Sequence, residues 1–401
     1  MTALEWLESL SPWPRDGFDL TRMHALLAEL GDPQLAFPSL HVVGTNGKST
    51  TTRTIEETLL KEGVPTGAYT SPHVTGWAER IRVGGAEVDA ERVLARVRAP
   101  AVALGATQFE ALTAAAYSEL ARRGVEAAVI EAGLGGRYDA TNVIPSRVQV
   151  LTSVGLEHTR WLGPTIGHIA AEKLDVVRDG GTLVLGHGLH PGALEVAKRV
   201  ASERGARIVN APEDPGVAVA ALGSFQRRNF ALARAAAEAY LGALDERALV
   251  DAAAHTRVPG RLQIVARDPL TLLDGAHNPE GVAALVESLA EPFAAGRSPL
   301  VAVVSILDDK DAAGMLSALL PVCDALVCTN SHNPRALPAP TLQSLARQLD
   351  GPPAEVLGDP PAALEHARDL AGPRGIVLAT GSIYLVADLL APHRRARASN
   401  L

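Results

Sequence analysis

The stretch Leu40-His41-Val42-Val43-Gly44-Thr45-Asn46-Gly47-Lys48-Ser49-Thr50 decides how this chain is read. Leu40 to Val43 is a short apolar run of strand type, the glycines make a turn, and 50–62 has helical character. Strand, glycine loop and helix in that order form a phosphate clamp. Glycines let backbone N–H groups wrap a phosphate, and the helix N-terminus adds partial positive charge. Lys48 neutralises the outer phosphates, and Ser49 or Thr50 ligates Mg²⁺. Gly44, Thr45, Asn46, Gly47, Lys48, Ser49 and Thr50 are therefore the expected contacts of a nucleoside triphosphate. The pattern is the short G-x-x-G-K-S, because Val42 stands where the longer G-x-x-x-x-G-K-[ST] form has its first glycine. The competing reading is a glycine turn with an incidental lysine.

Outward from the loop, short β-branched runs alternate with longer amphipathic stretches, which predicts βαβ units and mainly parallel sheets. Strands are expected at 41–43, 127–130, 148–153, 182–185 and 207–209. A second series is expected at 270–273, 300–306, 325–329 and 376–379, alternating with helices at 281–289, 341–348 and 362–370. Between the two series lie an Ala-rich helix at 231–240, another helix ending near His255, and the turn Val258-Pro259-Gly260-Arg261. The boundary is placed there, giving domains 1–257 and 262–401. Ligand sites are expected at the C-terminal ends of strands.

A triphosphate loop needs Mg²⁺, and Mg²⁺ needs ligands at neighbouring strand ends. Glu131 directly follows the apolar run Ala128-Val129-Ile130, with Gly133, Gly135 and Gly136 beyond it. His158 follows the 148–153 strand in Gly155-Leu156-Glu157-His158-Thr159. Both are candidate metal ligands. The bland alternative is that Glu131 caps its loop and His158 is a hydrogen-bonded loop histidine.

Composition limits the rest. With 401 residues, 47% hydrophobic and 20% charged, the chain suits two soluble globular domains. A formal charge of −8 exerts no long-range pull on nucleic acid, and Arg394-Arg395-Ala396-Arg397 is too short a run to change that. The two cysteines, Cys323 and Cys328, lack metal-ligand company and read as core thiols of a protein in a reducing cytoplasm. Met1 to Leu10 has no signal-peptide character, and no apolar run is long enough to span a bilayer, so no membrane role is expected.

Taken together, several motifs resemble folylpolyglutamate synthase and its sibling dihydrofolate synthase, in the Mur ligase superfamily. They are the phosphate loop, Thr70-Ser71-Pro72-His73, Glu79-Arg80-Ile81, Gly133-Leu134-Gly135-Gly136-Arg137, Asp139-Ala140-Thr141-Asn142 and Glu157-His158-Thr159. The match continues in Glu172-Lys173, Pro259-Gly260-Arg261, Asp274-Gly275-Ala276-His277-Asn278-Pro279, Asp309-Lys310-Asp311, Asn333-Pro334-Arg335-Ala336 and Gly381-Ser382, and so covers nearly the whole chain. The resemblance implies an α/β fold: a P-loop ATPase-like N-terminal domain with a mainly parallel sheet, plus a smaller Rossmann-like C-terminal domain that binds glutamate. It implies an ATP-dependent amide ligase. ATP phosphorylates a folate carboxylate, and L-glutamate displaces phosphate from the acyl phosphate.

Residue by residue, Ser71, Glu131 and His158 resemble the family's Mg²⁺ ligands and join Ser49 of the loop as the expected metal set, while Asn229, Arg261 and Asp274 resemble its ATP contacts. Asn229 is expected on the first turn of the Ala-rich helix. Lys173 resembles a lysine that members carry as a carbamate; without the resemblance it would be an ordinary surface lysine. With Lys48, His158 and His277 it makes up the expected catalytic set. Ser71, Pro72, His73, Arg80 and Phe109 resemble the folate-holding loops, with Phe109 either a stacking platform or a core residue. His277 and Ser382 are expected to hold glutamate, unless His277 only fixes its own loop.

The implied cofactors are ATP and Mg²⁺, with room for a second Mg²⁺ and for a monovalent cation such as K⁺. Implied partners are a reduced folate, L-glutamate and ATP, on a monomer. Where most relatives carry a further glycine after the loop lysine, this chain runs Lys48-Ser49-Thr50. Glu157 stands where aspartate is usual, Leu174-Asp175 where a small pair is usual, and Val258 where tryptophan often precedes Pro-Gly-Arg. These departures leave the preferred folate open, and with it the use of dihydropteroate. Two rival readings remain. A UDP-muramyl amino acid ligase is disfavoured because only 43 residues precede Gly44, against about 100 for a domain. A P-loop ATPase switch would have no need of Arg261, Asp274 and His277.

Overall fold

A computed structural model describes residues 1–14, 17–291 and 294–390. The arginines at 394, 395 and 397 lie outside the described residues. Among the described residues, fourteen strands form two sheets. The first holds β1 (Ser39–Val43), β2 (Thr66–Tyr69), β3 (Ile81–Val83), β4 (Ala86–Glu87), β5 (Ala127–Glu131), β6 (Val148–Leu151), β7 (Thr182–Leu185) and β8 (Arg207–Asn210). The second holds β9 (Gln263–Arg267), β10 (Leu270–Leu273), β11 (Leu300–Val304), β12 (Ala325–Cys328), β13 (Ala354–Val356) and β14 (Ile376–Thr380).

The spatial orders are β4-β3-β2-β5-β1-β6-β7-β8 and β13-β12-β11-β14-β10-β9. Pairing is parallel except at β2–β3, β3–β4 and β9–β10. This is the two-sheet, mainly parallel α/β architecture that the alternating pattern implies. Every residue of β1, β5, β11 and β14 is buried. That is the signature of a parallel sheet covered by helices on both faces.

β1 is the strand that positions the site. It lies between β5 and β6, its neighbours on opposite sides. The chain therefore leaves β1 at a point where the crossovers diverge, which opens a crevice at the carboxyl ends of the strands. One face of the sheet packs Leu40, Val42, Ile55 and Leu59 against the alanines of helix Ser224–Leu241. Alanine lets that helix approach closely. The other face packs Val43, Leu151 and Leu185 on Ile169 and Leu174 of helix Ile166–Leu174.

Several element starts fall earlier than the sequence pattern suggests. The second-domain helices run Pro279–Leu289, Ala339–Gln348 and Pro360–Ala371. Each takes proline into its first turn, where a missing N–H costs nothing, so the apolar periodicity begins after the helix does. The Ala-rich helix starts at Ser224 behind Gly223, whose φ of 97° ends the preceding loop. Asn229 consequently sits in the second turn, not the first.

Cys328 is buried and Cys323 half-buried, both against the second sheet's core. Burial pushes both thiols up to about 12, as core thiols require. No helix among the described residues is long and apolar enough to cross a membrane.

Candidate active site

A cavity of about 1030 Å³ lies between the two sheets and is lined from both. At its centre the phosphate loop leaves β1 and enters helix Lys48–Lys61, with Gly47 as N-cap at φ 86°. A Cβ on Gly47 would stand 2.5 Å from Asn229 Oδ1, and one on Gly44 would overlap Thr152 Oγ1. Glycine is thus demanded by close approach at both positions. The loop is tied to the end of β6. Thr45 N donates to Ser153 O at 2.9 Å, Asn46 N to Ser153 Oγ at 2.9 Å, and Thr152 Oγ1 to Asn46 O at 2.6 Å.

Lys48 Nζ folds over the loop onto Gly44 O and Thr45 O, at 3.1 and 3.2 Å. Lys173 reaches the same carbonyl, its Nζ 2.8 Å from Gly44 O. Lys173 is 5% exposed, so the surface-lysine reading is wrong. Burial first, then Lys48, pulls its ammonium down to about 7. An amine there is substantially uncharged at neutral pH, the form that reacts with carbon dioxide.

Three of the four expected metal-binding residues meet directly. Glu131, the last residue of β5, accepts from Ser49 Oγ at 2.9 Å through Oε1 and from Ser71 N at 3.0 Å through Oε2. Burial pushes its carboxyl up to about 7 against the pull of Lys48. His158, the fourth, lines the same cavity at φ 52° ahead of the short helix Thr159–Leu162. Burial holds its imidazole down to about 4, with Lys310, Lys173 and Lys48 adding to the effect. A neutral imidazole is the ligating form. Among the described residues no three His, Cys, Asp or Glu side chains converge as a metal cage. This donor set of two hydroxyls, one carboxylate and one imidazole suits Mg²⁺, which takes few protein ligands and fills its shell with phosphate and water oxygens.

The second domain supplies Arg261, Asp274, His277 and Ser382 to the cavity. Asp274 is committed to its own loop, accepting from Leu262 N at 2.7 Å and Ala276 N at 2.8 Å. Ser382 Oγ accepts from Tyr384 N at 3.1 Å. His277 fixes its own loop, Nδ1 bonding Gly275 O at 2.9 Å, while Nε2 faces Glu157 Oε1 of the first domain at 3.3 Å.

The expected folate-side residues divide. Ser71, Pro72 and Phe109 line the cavity, and Phe109 also packs on the core beside Tyr69, as its core reading requires. His73 and Arg80 do not line it. Arg80 is wholly buried, its Nε donates to His73 Nδ1 at 3.0 Å, and its guanidinium stacks over Trp77. Val74, two residues on from Pro72, is buried in the second domain's cluster.

Sequence reasoning gave no role to several residues in or beside the cavity. Trp13, Phe18 and Trp161 form an aromatic wall, with Trp13 and Trp161 stacked at 6.2 Å. Lys310, Glu157 and Asn278 join the domains: Lys310 Nζ donates to Glu157 Oε1 at 2.7 Å, and Asn46 and Asn278 bond side chain to side chain. The aromatics were legible only as isolated residues far apart in sequence.

Comparison with known proteins agrees with this geometry. The Mur ligase glutamate ligase domain family matches residues 260–383. The Mycobacterium tuberculosis dihydrofolate synthase/folylpolyglutamate synthase is 35% identical over 395 residues, covering 85% of this chain and 80% of that relative. A solved M. tuberculosis folylpolyglutamate synthase complexed with ADP superposes with a TM-score of 0.90 at 30% identity, over 98% of both chains. A bifunctional folylpolyglutamate synthase/dihydrofolate synthase from Yersinia pestis, complexed with AMPPNP and a Mn ion, gives 0.87 at 31% identity over 98% of both.

Proposed function

This chain belongs to the folylpolyglutamate synthase/dihydrofolate synthase family of the Mur ligase superfamily, and from that premise we propose how its cleft works. It is an ATP-dependent ligase that adds L-glutamate to folate. We assign the reaction an acyl-phosphate intermediate and include dihydropteroate beside reduced folate among its acceptors.

The observation that carries this reading is the single cavity that joins three walls. One is the phosphate loop with Ser49, Ser71, Glu131 and His158. Another is the aromatic arm of Trp13, Phe18, Phe109 and Trp161. The third is the second-domain edge with Arg261, His277, Lys310 and Ser382. A triphosphate, a flat heterocycle bearing a carboxylate, and a small dicarboxylic amino acid each find matching chemistry there.

In this assignment Lys48 and the loop N–H groups hold the outer phosphates, and Asn229, Arg261 and the Asp274 loop hold the rest of ATP. Bound Mg²⁺ supplies charge neutralisation for phosphoryl transfer. Lys173 is assigned as a carbamate. Its burial and depressed ammonium support that, because a buried positive charge beside Lys48 is unfavourable, whereas an anion there pairs with Lys48 and so offsets its desolvation. Phe109 and the aromatic wall cover the acceptor's ring. His277 and Ser382 receive glutamate on the second-domain side. We place the domain division at 258–261 and expect turnover to require the second domain to close on the first. We assign the chain to the cytoplasm as a monomer.

The test is a substrate panel of ATP, glutamate and, in turn, dihydropteroate, tetrahydrofolate and a UDP-muramyl acceptor, run with and without K⁺. ADP release should need both glutamate and a pteridine acceptor. Release with neither would refute the ligase reading, and release with the muramyl acceptor alone would move the chain to the peptidoglycan branch.

A further inference from the structure

Glu157 follows β6 in the first domain, yet its tightest partner is in the second. Lys310 Nζ lies 2.7 Å from Glu157 Oε1, His277 Nε2 3.3 Å from the same oxygen, and His158 Nε2 3.6 Å. The side chains of Lys310 and Glu157 are 10% and 11% exposed, so little water screens the pair. One ammonium and one imidazole on the second-domain wall and a second imidazole beside the phosphate loop thus converge on one carboxylate oxygen. His277 is fixed at both ring nitrogens, by Gly275 O and by Glu157.

We propose that Glu157 is a positioning residue for the glutamate-adding step. It holds the second domain against the phosphate loop and keeps Lys310 and His277 at the place where the amino acid arrives. The inference rests on the ligase reading given above. Length is part of the argument. Aspartate is shorter by one carbon–carbon bond of about 1.5 Å. From the same backbone it would leave the Lys310 contact at roughly 4 Å, outside hydrogen-bond range. Glutamate spans the domain gap, and an aspartate here would need further closure to do so. Removing one partner from a shielded, hydrogen-bonded charge pair strands the other, so the effect of breaking it should be large and shared by both partners.

The experiment measures steady-state kinetics of the full-length enzyme as wild type, Glu157→Asp, Glu157→Gln, Lys310→Gln and the double variant Glu157→Gln/Lys310→Gln. It is paired with calorimetric binding of AMPPNP and with Mg²⁺ titrations. Glu157→Gln should raise KM for glutamate by about tenfold or more and lower kcat, with Glu157→Asp between it and wild type. AMPPNP affinity and half-saturating Mg²⁺ should stay within about threefold, and the double variant should be no worse than the poorer single one. If Glu157→Gln fails to fold, Lys310→Gln carries the same measurements from the other side of the pair.

Three results overturn the proposal. A defect seen only in Mg²⁺ dependence would make Glu157 a neighbour serving His158. A lower KM for glutamate would make it a plug in the amino acid's own site. Independent, multiplying defects would deny the coupling. A wild-type enzyme that needs no glutamate would instead refute the ligase reading, which these variants leave untouched.

Discussion

Asn46 in the phosphate loop and Asn278 in the second domain exchange side-chain hydrogen bonds, Asn46 Nδ2 to Asn278 Oδ1 at 3.1 Å and Asn278 Nδ2 to Asn46 Oδ1 at 3.0 Å. Asn278 Oδ1 also accepts from Gly281 N at 2.8 Å, capping helix Pro279–Leu289. One amide therefore caps a second-domain helix and pins the loop of the first domain. Asn278→Ala should lose about 1 kcal/mol of stability through the missing cap and about tenfold in kcat/KM for ATP. Asn278→Asp keeps the cap but brings an anion to the phosphates. Its melting temperature should stay near wild type while ATP affinity falls. Calorimetry and ATP titrations separate the two effects, and an Asn278→Asp enzyme that matches wild type in both would show that only the cap matters.

Lys173→Ala removes both the buried amine and the anion assigned to it. Turnover should fall by about 10³ or more, since the group acts where phosphoryl charge must be held. Added short carboxylates such as acetate or propionate should restore part of it. An active Lys173→Ala enzyme, measured without such additives, would dismiss the carbamate assignment.

The sequence made the phosphate loop, the two strand series and the strand-end positions of Glu131 and His158 legible because each is a local pattern. A strand, a glycine turn and a helix are specified within about fifteen residues. β2 was missed because Thr66-Gly67-Ala68-Tyr69 is small and lacks β-branched density. β9 was missed because its burial is only partial at the sheet edge. Lys173 looked like a surface lysine because helical periodicity reports a face, not the carbonyl that face meets. Glu157, Lys310 and Asn278 lie up to 232 residues from their partners, a separation no spacing rule reaches. His73 and Arg80 were placed one layer too close to the ligand. Their motif lies beside the Ser71 loop but cannot show that Val74 is buried in the second domain's cluster.

Arg261→Ala tests whether the nucleotide is gripped from both domains. Arg261 lines the cavity though it lies 213 residues beyond Lys48 in sequence. KM for ATP should rise by about tenfold with little change in thermal stability, the loss expected for one charge-assisted contact. Unchanged kinetics would remove the second domain from nucleotide binding.

Trp161→Ala, and separately Trp13→Ala, should raise KM for the folate acceptor about fivefold or more while KM for ATP holds, because aromatic contacts beyond simple burial contribute roughly 1 kcal/mol. Acceptor binding should also quench tryptophan fluorescence in the wild type and less so in either variant. A shift in ATP affinity instead would place the aromatic wall at the nucleotide.

Acid sensitivity follows from His41, which is wholly buried in β1 beneath the loop. Thr141 Oγ1 donates its own proton to Asp139, so His41 Nε2, 2.8 Å from that hydroxyl, must be the donor. Nδ1 then has no hydrogen-bond partner. Protonating it would put a second N–H in a dry site, and burial, with Arg178 adding to it, holds the imidazole down to about 3. Between that value and the ordinary 6.5 of the unfolded chain, the unfolded state binds more protons than the folded one. Stability from this group is therefore fully present above pH 6.5 and declines as pH falls toward 3. At pH 5 the loss relative to pH 7 is about 2 kcal/mol, at about 1.4 kcal/mol per unit. Buried His73 is shifted in the same direction, whereas the raised carboxyls of Glu131 and Asp139 act oppositely, so the wild-type profile mixes several groups. A difference between two proteins isolates one. His41→Gln retains a donor for Thr141 but does not titrate. Urea midpoints at pH 7, 6 and 5 should fall less steeply for His41→Gln than for wild type, by about 2 kcal/mol across the range. Parallel profiles would mean that His41 keeps the same protonation in both states.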